Sequence, residues 1–133
     1  MHDVVRLGIV GSRTFTDEGL MQVSLRDLVM GSAWVVSMVV SGGATGADSL
    51  AREWAKKRGF VLGRDLIEHL PDKERYGWPR AAFERNTLIV RDSEVLLAFF
   101  GPGEPPSVNK SGTMDTVRKA IAKRIPVHLY FQR

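Results

Sequence analysis

One stretch of the chain, EVLLAFF at residues 94–100, limits the fold more than any other. Its apolar residues are consecutive, whereas a strand with one wet face alternates apolar and polar, so both faces of this strand must be covered. Helices packed above and below a parallel sheet provide that cover, and parallel strands need crossovers long enough to hold a helix. The rest of the chain supplies the alternation. Strand-like runs VVRLGIV (4–10), VVSMVV (35–40), DLIEHL (65–70) and PVHLYF (126–131) are separated by stretches of helical period at about 17–30, 46–58, 80–90 and 113–123.

The helix over 46–58 is the clearest, because Ala47, Leu50, Ala51, Trp54 and Ala55 recur on one face and place Trp54 in the core. In the first helix Leu20, Val23 and Leu28 are expected to face inward, and in the last Met114, Val117 and Ile121. Right-handed β-α-β crossovers then give an α/β fold: a single Rossmann-like three-layer domain over 1–133 with a central, mainly parallel five-stranded sheet.

Composition removes several classes. With 44% hydrophobic and 26% charged residues the chain is too apolar for disorder. It has no cysteine, hence no disulfide framework or thiolate metal site, and His2, His69 and His128 are too scattered for a metal cluster. No metal and no cofactor are expected. The apolar runs AWVVSMVV and VLLAFF are too short to span a membrane, and MHDVVRLG lacks a signal-peptide layout, so no membrane partner and a cytoplasmic location are expected. The net charge of +4 invites nucleic acid as a partner. Position weakens the invitation, since Lys56-Lys57-Arg58 and Lys123-Arg124 close helices, where cations complement the dipole.

In open α/β sheets ligands bind beyond the carboxyl ends of the strands. Three loops there are rich in Gly, Ser and Thr: GSRTF after the first strand, SGGATGAD after the second and GPGEPPSVNKSGT after the fourth. Glycine lets backbone approach phosphate oxygens, and helix N-termini attract anions. The phosphate-binding candidates are therefore Gly11, Ser12 and Arg13; Ser41, Gly42, Gly43, Thr45 and Gly46; and Ser111, Gly112 and Thr113. Alternatively the glycines only make tight turns; helix capping by Ser111–Thr113 is compatible with phosphate binding. Neither the G-x-G-x-x-G spacing nor the lysine of a nucleoside-triphosphate loop is present.

GIVGSRTF, VVSGGATGADSLAREWA, ERYG followed by RN, and SGT opening a helix together resemble the SLOG superfamily of nucleotide-related Rossmannoid domains, in particular its YspA-like (cpYpsA-related) branch. The resemblance spans nearly the whole chain. It implies a nucleotide or nucleotide-derived small-molecule ligand held by the glycine loops. Wider kin are the LONELY GUY phosphoribohydrolases, molybdenum-cofactor carriers and DNA-processing protein A. The phosphoribohydrolase motif is Pro-Gly-Gly, one residue, Gly-Thr, two residues, Glu. This chain keeps Gly112-Thr113 but places the shorter Asp115 one position early, a turn of about 100° on a helix. That departure counts against the hydrolase activity.

Each chemical candidate carries two readings. Arg13 grips phosphate at the rim of the anion site, or pairs with Asp17 or Glu18 in solvent. Asp48 accepts from a ribose hydroxyl or base amine, or only complements the dipole of its helix. Arg85, in the family's Arg-Asn pair, reaches the ligand or lies on a solvated face, and Asn86 binds ligand or local backbone. Tyr76 and Trp78 stack on a base or pack over the sheet edge.

Three functions follow: capture of a nucleotide-derived ligand as sensor, carrier or sequestering module; cleavage of an N-glycosidic bond with Arg85, Asp48 or Asp115 as catalytic candidates; and binding of single-stranded nucleic acid. Kinship favours a homodimer.

Overall fold

The computed structural model describes residues 3–31, 34–103 and 112–133. Strands β1 (Asp3–Gly11), β2 (Trp34–Ser41), β3 (Leu66–Glu68), β4 (Val95–Phe100) and β5 (Val127–Phe131) form one sheet in the order β3-β2-β1-β4-β5. Every neighbouring pair is parallel. Helices α1 (Glu18–Gly31), α2 (Ala47–Lys57), α3 (Lys73–Tyr76), α4 (Arg80–Asp92) and α5 (Gly112–Ala122) make the connections.

The pleat sorts the apolar residues into two cores. Leu7 and Ile9 of β1 and Val95, Leu97 and Phe99 of β4 pack with Met21 and Leu25 of α1 and Ala47, Ala51 and Trp54 of α2. Val10, Leu96, Ala98 and Phe100 face the other way, against Ile89 and Val90 of α4 and Val117 and Ala120 of α5. All six residues of β4 are buried, as consecutive apolar residues require of an interior strand. Each fully buried Leu, Ile or Phe contributes about 1.5–3 kcal/mol through burial, so both helical layers are held by many comparable contacts.

Two expected inward positions turn out exposed. Val23 is 46% accessible because α1 is phased by Met21 and Leu25, and two residues past Met21 is about 200° around the helix. Ile121 is 61% accessible because α5 buries Thr113, Thr116, Val117 and Ala120. The third strand shrinks to three residues, and the short α3 was not foreseen.

Level ends bring the loops together. Gly11 is in register with Phe99 and Gly8 with Val40, so β1, β2 and β4 finish along one edge. From β1 the chain runs outward to β2 and β3, then returns to lay β4 on the other side. The crevice beyond β1 and β4 is where such sheets bind ligands.

Candidate functional site

A cavity of about 460 Å³ opens at that crevice. Gly11, Ser12, Arg13 and Thr14 line it from the β1 loop, Gly42, Ala44 and Asp48 from the β2 loop and α2, and Gly112, Thr113 and Thr116 from α5. The wall of α4 contributes Ala82, Phe83, Arg85, Asn86 and Ile89, and Trp78 and Pro79 stand before it. A second depression of about 310 Å³ involves only α1, α2 and Arg58, away from every glycine loop.

The β2 loop is shaped by two glycines. Gly46 has φ of +73°, and an added Cβ would run into the backbone of Ser12 and Arg13. This close approach lets Ala47 N–H donate to Ser12 O (3.2 Å) and fastens the second loop to the first. At Gly42 a Cβ would lie 2.7 Å from Arg85 Nη1 and 2.9 Å from Asp48 Oδ2, so its absence makes room for both groups.

Several loop groups expected to face a ligand instead bind protein. Ser12 N–H donates to Phe99 O (3.0 Å), and the Ser12 hydroxyl accepts from Gly101 N–H (3.0 Å) while lying 2.9 Å from Thr14 Oγ1. Ala44 N–H donates to Asp48 Oδ2 (3.1 Å). Of the expected anion-binding residues, Ser12 therefore has its amide already used to hold the loops in place, and the amide of Ala47, beside Gly46, is used likewise.

Asp48 is 6% accessible, and its Oδ1 has no hydrogen-bond partner among the described residues. Burial pushes its carboxyl up to about 6, against the Ala44 amide and the Arg85 guanidinium, which favour the charged form. Arg85 is half-buried, and burial also eases its proton, opposed by the Asp48 carboxylate and aided by like-charge repulsion from Arg13. Its Nη1 donates to Gly42 O (2.9 Å) and its Nε to Asn86 Oδ1 (2.9 Å), both uncharged acceptors. Asn86 Nδ2 in turn donates to Gly112 O (3.2 Å) and Asp115 Oδ2 (3.1 Å). The Arg-Asn pair thus joins the β2 loop to the start of α5.

Arg13 is exposed at the rim. The acids weighed as its partners are otherwise engaged: Asp17 Oδ1 accepts from Leu20 N–H, and Glu18 accepts from Gln22 and lies 3.8 Å from Lys57. Asp115 does not line the cavity; it holds Asn86 and pairs with Lys119 at 2.9 Å. Ser41, Gly43, Thr45 and Gly46 shape the loop without lining the cavity, and buried Ser41 Oγ has no partner among the described residues. Ser111 lies outside the described residues. Tyr76 stands off the wall, its ring 5.1 Å from both the Arg75 and Arg80 guanidiniums, whereas Trp78 is 58% accessible at the mouth.

Val10, Thr14, Ala44, Pro79, Ala82, Phe83, Ile89 and Thr116 also line the cavity and were missed. Ala82, Asn86 and Ile89 fall at i, i+4, i+7, so the face bearing Asn86 already marked two of them. Among the described residues no three His, Cys, Asp or Glu side chains gather to hold a metal, and no helix is long and apolar enough to cross a membrane.

The sheet order, the crevice and the glycine loops define a Rossmann-like α/β protein with a concave site at the carboxyl edge. Residues 5–76 match the YspA, cpYpsA-related SLOG family, and the chain belongs to that family. Gene 61 protein of Mycobacterium phage D29 is 35% identical over 126 residues, covering 92% of this chain and 93% of the relative. The fold resembles that of DNA processing protein A from Helicobacter pylori, with a TM-score of 0.64 and 23% identity over 97% of this chain. The chain spans 66% of that neighbour's length.

Proposed function

We propose that the cavity captures a nucleotide or nucleotide-derived ligand, as a sensor, carrier or sequestering module. One observation carries this reading: Arg13 and Arg85 both line one cavity, and among the described residues the hydrogen bonds of Arg85 go to the neutral acceptors Gly42 O and Asn86 Oδ1. Two guanidiniums on the wall of one cavity, against a single carboxylate, suit an anionic ligand. Asp48 is the one acid on the cavity wall among the described residues, and its unpaired Oδ1 suits a ribose hydroxyl or base amine. The apolar side chains of Val10, Phe83 and Ile89 suit a base. The volume falls in the range of about 300–1,000 Å³ usual for small-molecule sites.

N-glycosidic cleavage is less well supported. Asp115 is committed to Asn86 and Lys119, which leaves Asp48 as the only acid on the cavity wall among the described residues. Single-stranded nucleic acid is the second reading, favoured by the neighbouring fold, since the H. pylori protein was described for its single-stranded DNA binding mode.

Mass spectrometry of small molecules retained by the purified protein, followed by calorimetric titration with nucleoside monophosphates, tests the first reading. Arg13→Ala is expected to weaken binding about tenfold with an unchanged melting temperature, because the side chain is exposed. Arg85→Ala should lower both, because it strands Gly42 O and Asn86 Oδ1. No retained nucleotide and no titratable binding would overturn the reading.

A further inference from the structure

The segment before α4, Lys73-Glu74-Arg75-Tyr76-Gly77-Trp78-Pro79-Arg80, sets three cations and two aromatic rings within eight residues. They are arrayed on one another. Arg75 and Arg80 lie over Tyr76, and Lys73 Nζ lies 5.3 Å from the Trp78 ring centre. Glu84 offsets Arg80 at 3.5 Å. Tyr76 already carries two guanidiniums and acts as a post that spaces the cations. Trp78 differs: it lines the cavity mouth and remains 58% accessible, an indole left mostly in water beside an anion site. Phe83, 46% accessible on the same wall, continues the aromatic surface inward. A single nucleotide seated between Arg13 and Arg85 uses the inner wall and leaves this outer platform unused. Bases stack on such rings whatever their identity, and flanking cations neutralise the linking phosphates.

We propose that the site takes a ligand of two nucleoside units joined through phosphate, the first in the cavity and the second base stacked on Trp78 beside Lys73. This rests on the reading of the cavity as a nucleotide site. A free dinucleotide and the end of a single strand share the chemistry.

The test titrates the protein with the four nucleoside 5′-monophosphates, the four matching 5′-phosphorylated homodinucleotides and a 5′-phosphorylated ten-nucleotide strand, in the parent, Trp78→Ala and Trp78→Phe. The parent should bind its preferred dinucleotide at least tenfold more tightly than the monophosphate, with quenched tryptophan emission. That preference should collapse in Trp78→Ala and persist in Trp78→Phe. A strand that binds no better than the dinucleotide points to the free dinucleotide, and one that binds better points to a strand end; either supports two joined units. Monophosphate binding with no gain for the dinucleotide, or a gain that survives Trp78→Ala, overturns this proposal and leaves the nucleotide reading standing. Absence of binding by any probe overturns both. Lys73→Ala, an exposed change, should lower the dinucleotide preference and provides a second measurement if Trp78→Ala folds poorly.

Discussion

Asp48 is the residue at which fold and site conflict most. Burial favours its neutral form, while the Ala44 amide, Arg85 and, more weakly, Arg52 favour the carboxylate; Glu68 opposes it. Its folded-state value of about 6 stands above the ordinary 3.8, so the native chain holds the proton more firmly than the unfolded chain. The contribution of Asp48 to stability is therefore fullest below about pH 4, declines as pH rises towards 6, and is lower by about 3 kcal/mol above that, at 1.36 kcal/mol per unit. Asp48→Asn keeps an acceptor for Ala44 N–H and removes the buried charge. Thermal melts should show the variant more stable than the parent by about 1–3 kcal/mol at pH 7.5, with the gap closing towards pH 4. A variant less stable at pH 7.5 would mean that Arg85 and the Ala44 bond outweigh desolvation. The position was legible in sequence, because a carboxylate follows the glycine loop by two residues. Its environment was not, because the groups that set its charge, Arg85 of α4 and Glu68 at the end of β3, are brought to it by the fold.

The β2–α2 connection shows how an element can serve packing and binding through different glycines. At Gly46 the obstacle to a side chain is backbone, which cannot yield, and φ of +73° with ψ of −126° is a conformation that L-residues avoid. Gly46→Ala should cost about 2–4 kcal/mol in urea denaturation and part the first two loops. At Gly42 the obstacles are the ends of Arg85 and Asp48, which can swing away. Gly42→Ala should lower the urea midpoint no further than Arg85→Ala does, and by less than Gly46→Ala, yet lose most nucleotide affinity. Equal losses of stability would show that Arg85 braces the fold more than it serves the cavity. Glycine content made these loops legible as a site, but the division of labour within them depends on what crosses from β1 and α4. The same limit applies to helix phase. Val23 and Ile121 are apolar and fall near the inward stripe, yet the seating of α1 and α5 on the sheet turns both outward. The short α3 carries no apolar period; it rests on Asp72, whose side chain accepts from Arg75 N–H.

Across the whole molecule, the question is whether the net charge of +4 serves the site. Helices α2 and α5 both begin at the cavity, with Asp48 and Thr113 on its wall. At 1.5 Å per residue, eleven-residue helices carry their last turns about 16 Å away. Lys56 and Lys57 close α2, and Lys123 and Arg124 follow α5, so these cations lie beyond the Debye length of about 8 Å at physiological salt. These four cations are thus placed where a bound ligand barely feels them at physiological salt. Changing both Lys56 and Lys123 to Glu lowers the net charge by four, taking the chain from +4 to neutral. At 150 mM NaCl the double variant should bind AMP or its 5′-phosphorylated dinucleotide within about twofold of the parent, and at 10 mM, where screening reaches only about 30 Å, it should bind measurably more weakly. A ten-nucleotide strand confined to Arg13, Arg85 and the Trp78 platform should behave the same way. A tenfold loss for the strand at 150 mM would mean that it tracks along the helix ends to the far edge, and that most of its contacts lie outside the cavity.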